Sequence, residues 1–204
     1  MIEFLESGMI FRLDENNCFR IEKHPKARKS YRNCTQGVKA CEFVTYANGR
    51  HVFVEAKSSA PQAPAGLIED LTLNGCPIPK NWTVYDNYRT FLRNVCQKFI
   101  DSFSLLKAIS DGCHGYSEKL NLTLAQPFSD IKKIEFVLIL NIAGATNNKR
   151  ESLVGLRDAL VNEMRPFFDL WNISTDAMKV FWPEQAQIRY GFLIDLSVKS
   201  MVKK

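Results

Sequence analysis

The 204-residue sequence predicts one mixed α/β domain, a central sheet flanked by helices, and three observations carry that expectation. IEFVLILNI, residues 134 to 142, is almost unbroken apolar sequence, as a strand covered on both faces requires. Two longer stretches repeat apolar residues at steps of three and four, the spacing of a helix that buries one side. Finally, CEFVTY and RHVFVEAK flank Asn48-Gly49, a two-residue turn whose positions both favour positive φ, so the pair reads as an antiparallel hairpin. At 46% hydrophobic residues the chain fills one core, and residues 1–204 are read as a single domain.

Taken in order, GMIFRLD and CFRIEK read as a first pair of strands around Glu15-Asn16-Asn17, with Ile10, Leu13, Phe19 and Ile21 as apolar surface. KHPKARKSYR then concentrates positive charge in Lys23, Lys26, Arg28, Lys29 and Arg32, with Pro25 ending the strand before it. The Asn48-Gly49 hairpin follows. After Lys57 the prolines and small residues of SSAPQAPAG, and later NG and CPIPKNW, exclude regular structure, so 58–84 is expected to be an irregular insertion. From Asp86 a helix is expected to run to Asp111-Gly112, burying Tyr88, Phe91, Leu92, Val95, Phe99, Phe103 and Leu106 against the sheet. Asn148 and Glu151 have the spacing of a capping box, and Leu153, Leu156, Leu160, Met164 and Phe168 continue a second helix. MKVFW and a stretch near YGFLIDLSV supply late strands.

Charge and cysteine usage narrow the function classes only slightly. A formal net charge of +5 permits a polyanionic partner without demanding one. The cysteines, at 18, 34, 41, 76, 96 and 113, lack CxxC spacing and read as reduced, buried thiols. The opening MIEFLESG is acidic, and no segment approaches the roughly 18 apolar residues of a membrane span, so the expectation is a cytoplasmic protein without a membrane partner.

The hairpin register holds the functional content. Counting outward from the turn sets Ala47 against Arg50, Tyr46 against His51, Thr45 against Val52, Val44 against Phe53, Phe43 against Val54 and Glu42 against Glu55. Because side chains alternate along a strand, Glu42, Val44 and Tyr46 share a face with His51, Phe53, Glu55 and Lys57. Like charges directly opposite are unfavourable unless solvent, a proton or a cation relieves them. A divalent ion, bonded to oxygen at about 2.1 Å, would turn the repulsion between two carboxylates into shared attraction. Lys57 beside Glu55 could then orient or deprotonate a water, or balance charge at an attacked phosphate.

This pattern, an acid followed after the turn by VEAK on a hairpin and then by a helix and a buried strand, resembles the PD-(D/E)XK nuclease superfamily over roughly residues 8 to 142. The resemblance implies a restriction-endonuclease-like core with the antiparallel hairpin carrying the site, a Mg2+ or Mn2+ cofactor, and cleavage of DNA or, less often, RNA. It assigns Glu42 and Glu55 as the metal-binding acids and Lys57 as the catalytic lysine. Glu42 stands where the family usually has Asp, and Cys41 where it has Pro; Glu3, Glu6 and Glu22 are the acids available as a further ligand. A second acid-x-Lys triplet, Asp130-Ile131-Lys132, has no acid set opposite it by a turn. Lys26, Arg28, Lys29 and Arg32 are the candidate phosphate-backbone contacts, with Lys149 and Arg150 at a helix start as a lesser anion site. Tyr31, Tyr46 and Trp82 are candidates to stack on bases, against the alternative of packing; His51 is expected at the rim; and 58–81 is expected to border the cleft. The alternative to the enzyme is a catalytically inactive binding module of the same fold for nucleic acid or a protein partner, or a subunit active only in a larger complex.

Overall fold

A computed structural model describes residues 1–20, 39–61, 82–111, 133–142 and 150–196. Its strands are β1 (Ile2–Glu6), β2 (Met9–Leu13), β3 (Cys18–Phe19), β4 (Phe43–Ala47), β5 (Arg50–Lys57), β6 (Ile134–Leu140), β7 (Met178–Phe181) and β8 (Leu193–Asp195). Its helices are α1 (Trp82–Ser110), α2 (Arg150–Trp171) and α3 (Pro183–Tyr190), with short 3-10 turns at Glu15–Asn17 and Thr175–Ala177. No helix among the described residues is long and apolar enough to cross a membrane.

A five-stranded mixed sheet in the order β3-β4-β5-β6-β7 lies at the centre. Asn48 and Gly49 adopt φ of 53° and 74°, the turn geometry expected of them, and fix the β4–β5 register at Ala47↔Arg50 through Phe43↔Val54. β6 and β7 then add in parallel, each reached through a crossover that contains one of the long helices. Every residue of β6 is buried, as its apolar run demands.

Alternation along the strands splits the interior into two cores on opposite faces. On one face Val44, Phe53, Phe136 and Leu138 meet Val95, Phe99 and Phe103 of α1 and Leu160, Met164 and Phe168 of α2. Phe136 is the hub, with ring centroids 5.3 Å from Phe53, 5.5 Å from Phe99 and 5.9 Å from Phe167. On the other face Phe43, Val52, Val54, Ala56, Val137 and Ile139 meet Phe4, Met9 and Phe11 together with Ala186 and Tyr190. That second layer is a three-stranded antiparallel sheet, β1-β2-β8, beside α3.

The first strands therefore differ from expectation. Among the described residues GMIFRLD does not pair with the segment after it: β2 pairs with β1 through a turn at Ser7 (φ 50°) and Gly8 (φ 74°), while Cys18–Phe19 joins the other sheet beside β4. IEFLE, with Phe4 buried between exposed neighbours, is itself the missing strand. YGFLIDLSV does contain a strand, but β8 closes the small sheet on β2 rather than extending the large one. The helix α3 between the late strands was not expected; Pro183 opens it, Gln185 Oε1 accepts a hydrogen bond from Trp182 N at 3.0 Å, and Gly191 at φ 71° closes it. Helix α1 begins at Trp82, four residues before the expected Asp86, so the connection after β5 ends at 81.

Candidate functional site

The site lies at the carboxyl end of β5, on the face covered by α1. Beyond Phe43↔Val54 the ladder gives way to a bend at Glu42, whose N–H donates to Val54 O at 2.9 Å. The residues leading into it are strapped to α1: Lys39 N donates to Asp101 Oδ2 at 2.7 Å and Cys41 N to Ser102 Oγ at 2.8 Å. Glu42 is 8% exposed and Glu55 0%. Their carboxylates point the same way, as the hairpin register required, and both reach the ammonium of Lys98 on α1. Lys98 Nζ donates to Glu42 Oε1 at 3.1 Å and to Glu55 Oε1 and Oε2 at 2.9 and 3.2 Å. Lys57 Nζ lies 2.6 Å from Glu55 Oε1, with a side chain 31% exposed.

A third acid arrives from the small sheet. The β1–β2 turn is pinned to the ends of β5 and β6: Ser7 Oγ donates to Ala56 O at 2.8 Å, and Asn141 Nδ2 donates to Ser7 O at 3.2 Å and Gly8 O at 3.3 Å. Asn141 N completes the clamp on Lys57 O at 2.8 Å. Glu6 is thereby held on the Glu42 side of the site, close enough for the two carboxyl groups to interact. Burial, then the proximity of Glu42, raise the Glu6 carboxyl above its ordinary range, with the Ser7 backbone N–H and then Arg20 acting against them.

The electrostatics record a crowded site. Burial is the main reason that Glu55 is pushed up to about 7; Lys98 and Lys57 pull it down, and Glu42 adds to the rise. Lys98 is the mirror case, where burial opposes the charge but Glu55 and Glu42 outweigh it and raise the ammonium above its usual value. The Cys41 thiol behind the acids is pushed up to about 12, chiefly by burial, and is no thiolate ligand at neutral pH.

Glu42, Glu55 and Lys57 are thus brought together as the sequence indicated, and of the further acids considered that lie among the described residues, Glu6 joins them while Glu3 pairs with Arg12. Lys98 was missed. It stands four residues before the buried Ser102 beside the apolar stripe of α1, but Asn94, four residues earlier still, is exposed, so the row gives no clear local sign that Lys98 faces β5. His51 is not at the rim: it is 4% exposed and packs 5.2 Å from the Tyr46 ring, and Tyr46 itself lies against the α1-side core. Cys18, Cys41 and Cys96 are free and buried. Lys26, Arg28, Lys29, Arg32, Tyr31, Glu22, Asp130, Lys149 and the stretch 62–81 lie outside the described residues, as do the side chains of Trp82 and Arg150.

Among the described residues no group of three or more His, Cys, Asp or Glu side chains is arranged to hold a metal ion. The pair Glu42 and Glu55 still suits one kind of ion. Magnesium keeps most of its water and is held through one or two carboxylates together with substrate phosphate, and hard oxygen donors of this sort favour Mg2+ or Mn2+ over softer metals. Compared with family models, with curated proteins and with solved structures, the chain matches none.

Proposed function

We propose that the protein is a Mg2+- or Mn2+-dependent phosphodiesterase acting on nucleic acid, DNA before RNA, built on a restriction-endonuclease-like core. The observation that carries this reading is the convergence of Glu42 and Glu55 on a single cation position, with Lys57 beside them. Two features of the fold support it. The hairpin, the crossover helix α1 and the parallel strand β6 follow in the order of that core. The site also lies at the carboxyl ends of β5 and β6, where open α/β sheets commonly bind their ligands.

Glu42 and Glu55 are the residues that would hold the ion, and Glu6 lies where a further acid can assist Glu42. A bound ion supplies Lewis acidity, lowering the pKa of a water and neutralising charge on the attacked phosphate. Lys57 does the remaining work. It is the more exposed of the two lysines on Glu55, so its ammonium can orient a water or hydrogen-bond a phosphate oxygen as negative charge grows there. Helix α1 and the clamped β1–β2 turn wall the acids from bulk water, which strengthens each of these interactions.

A second reading has its own observation: Lys98 already neutralises the two acids, as it would in a module that binds nucleic acid or a protein without cutting. One assay separates them. The full chain is incubated with single- and double-stranded DNA and RNA in Mg2+, Mn2+ or chelator, beside Glu55→Gln and Lys57→Ala. Metal-dependent cleavage that folded variants lose by at least about 100-fold is the expected result. Salt-sensitive binding by every form, with no cleavage by any, would sink the enzyme and favour the module.

A further inference from the structure

Lys98 spends its ammonium entirely on the two acids. Its three contacts go to Glu42 Oε1 at 3.1 Å, Glu55 Oε1 at 2.9 Å and Glu55 Oε2 at 3.2 Å, matching the three protons an ammonium offers. Glu55 Oε1 also takes Lys57 at 2.6 Å, so its two lone pairs serve two lysines. An ion bridging Glu42 and Glu55 needs oxygens that Lys98 now uses, and a single and a double positive charge a few ångströms apart in a buried pocket repel strongly.

We propose that Lys98 is a tethered cation standing in for the metal: it holds Glu42 and Glu55 together in the metal-free protein and is displaced when a divalent ion binds, so that this lysine sets the metal affinity. The idea rests on the metal-dependent reading above and adds a residue to it. Lys57 is the wrong candidate for that part, because it contacts Glu55 alone and its departure would not open the position between the acids. Lys98 reaches that position on a flexible four-carbon stem from α1, and its side chain is 20% exposed, which gives the ammonium a route outward. Competition of this kind explains how two buried carboxylates persist without metal yet remain able to take it. A lysine that merely braces α1 against β5 makes a different prediction, since its loss would lower stability and leave metal affinity unchanged.

The experiment is a Mn2+ titration of the full chain without nucleic acid, followed by calorimetry and by the electron spin resonance of free Mn2+, for wild type, Lys98→Met and Glu55→Gln. Methionine keeps the stem's bulk and removes the charge. Lys98→Met is expected to bind Mn2+ roughly tenfold or more tightly than wild type, a coupling of ordinary allosteric size, and Glu55→Gln to lose binding. Equal or weaker affinity in folded Lys98→Met, with Glu55→Gln still defective, overturns the tethered cation and leaves the metal-dependent reading standing. No Mn2+ binding by wild type or Lys98→Met overturns both. Should Lys98→Met fail to fold, the wild-type Lys98 13Cε resonance decides: it must move in step with Mg2+ saturation, and a resonance that stays fixed while Mg2+ binds overturns the proposal.

Discussion

Glu55 is wholly buried, and its position fixes the sign of the pH response. A carboxyl pushed up to about 7 from its ordinary 4.5 binds its proton more tightly in the folded chain than in the unfolded one. Between these values the native state carries more protons than the unfolded state, so stability falls as pH rises, by on the order of 3 kcal/mol for a shift of this size. Glu6, also raised, acts with the same sign. Lys98, raised from 10.5, loses its contribution only at alkaline pH, outside this window. Urea unfolding in chelator should therefore give a lower free energy at pH 8 than at pH 5, with the slope flattened in Glu55→Gln; an unchanged slope would show that burial does not govern this group. On the opposite face, Tyr190 Oη donates to Glu135 Oε2 at 2.6 Å in a buried contact, with Arg189 Nη2 at 3.1 Å on the other carboxylate oxygen. Tyr190→Phe leaves half of that carboxylate short of a donor and should cost about 1.5–3 kcal/mol in the same assay.

The β1–β2 hairpin illustrates how far an element's position can matter to a site it barely enters. Gly8 sits at φ 74°, and a Cβ there would lie 3.3 Å from Asn141 Nδ2, the group that clamps the turn. Gly8→Ala should destabilise by about 1–2 kcal/mol from the backbone alone. Hydrogen exchange should locate the loosening in β1 and β2 before β4 and β5; uniform loosening would speak against a local clamp. Gly155 is the opposite case: it lies inside α2 with nothing within 4 Å of an added Cβ, so Gly155→Ala should raise stability by roughly 0.5–1 kcal/mol. Elements with one strong local signal were legible in the sequence. The Asn48-Gly49 turn gave the register as far as Phe43↔Val54, one step short of the expected Glu42–Glu55 pair, which converges instead through Lys98; the apolar run gave β6, and the three-and-four spacing gave α1 and α2. What escaped was set by distant partners. IEFLE breaks its alternation at Phe4-Leu5, and its strand partner across Ser7-Gly8 was expected to pair with the segment after it. α3, of eight residues, is too short for periodicity and is marked only by its ends. Lys98 was hidden because its meaning depends on β5, 43 residues earlier in the chain.

At the scale of the whole molecule, the site draws on both layers: Glu42, Glu55 and Lys57 from the large sheet, Lys98 from the helix over it, and Glu6 from the small sheet beneath. An ion that binds only this assembled arrangement stabilises the entire fold. Mg2+ or Mn2+ at 100 times its dissociation constant should add about 2.7 kcal/mol and raise the melting temperature, chelator should reverse the gain, and Glu55→Gln should show none. A melting temperature indifferent to both metals would count against a cation site of any strength. The pairing of β2 with β8 has a further bearing, on synthesis. A ribosome must deliver Asp195 before Ile10 has both of its neighbours, so β2 stays open along one edge until residues 193–195 are made. The hairpin that presents Glu6 gains its second neighbour only then, and a nascent protein would hold the Glu6 side of the candidate site unfinished until β8 emerged.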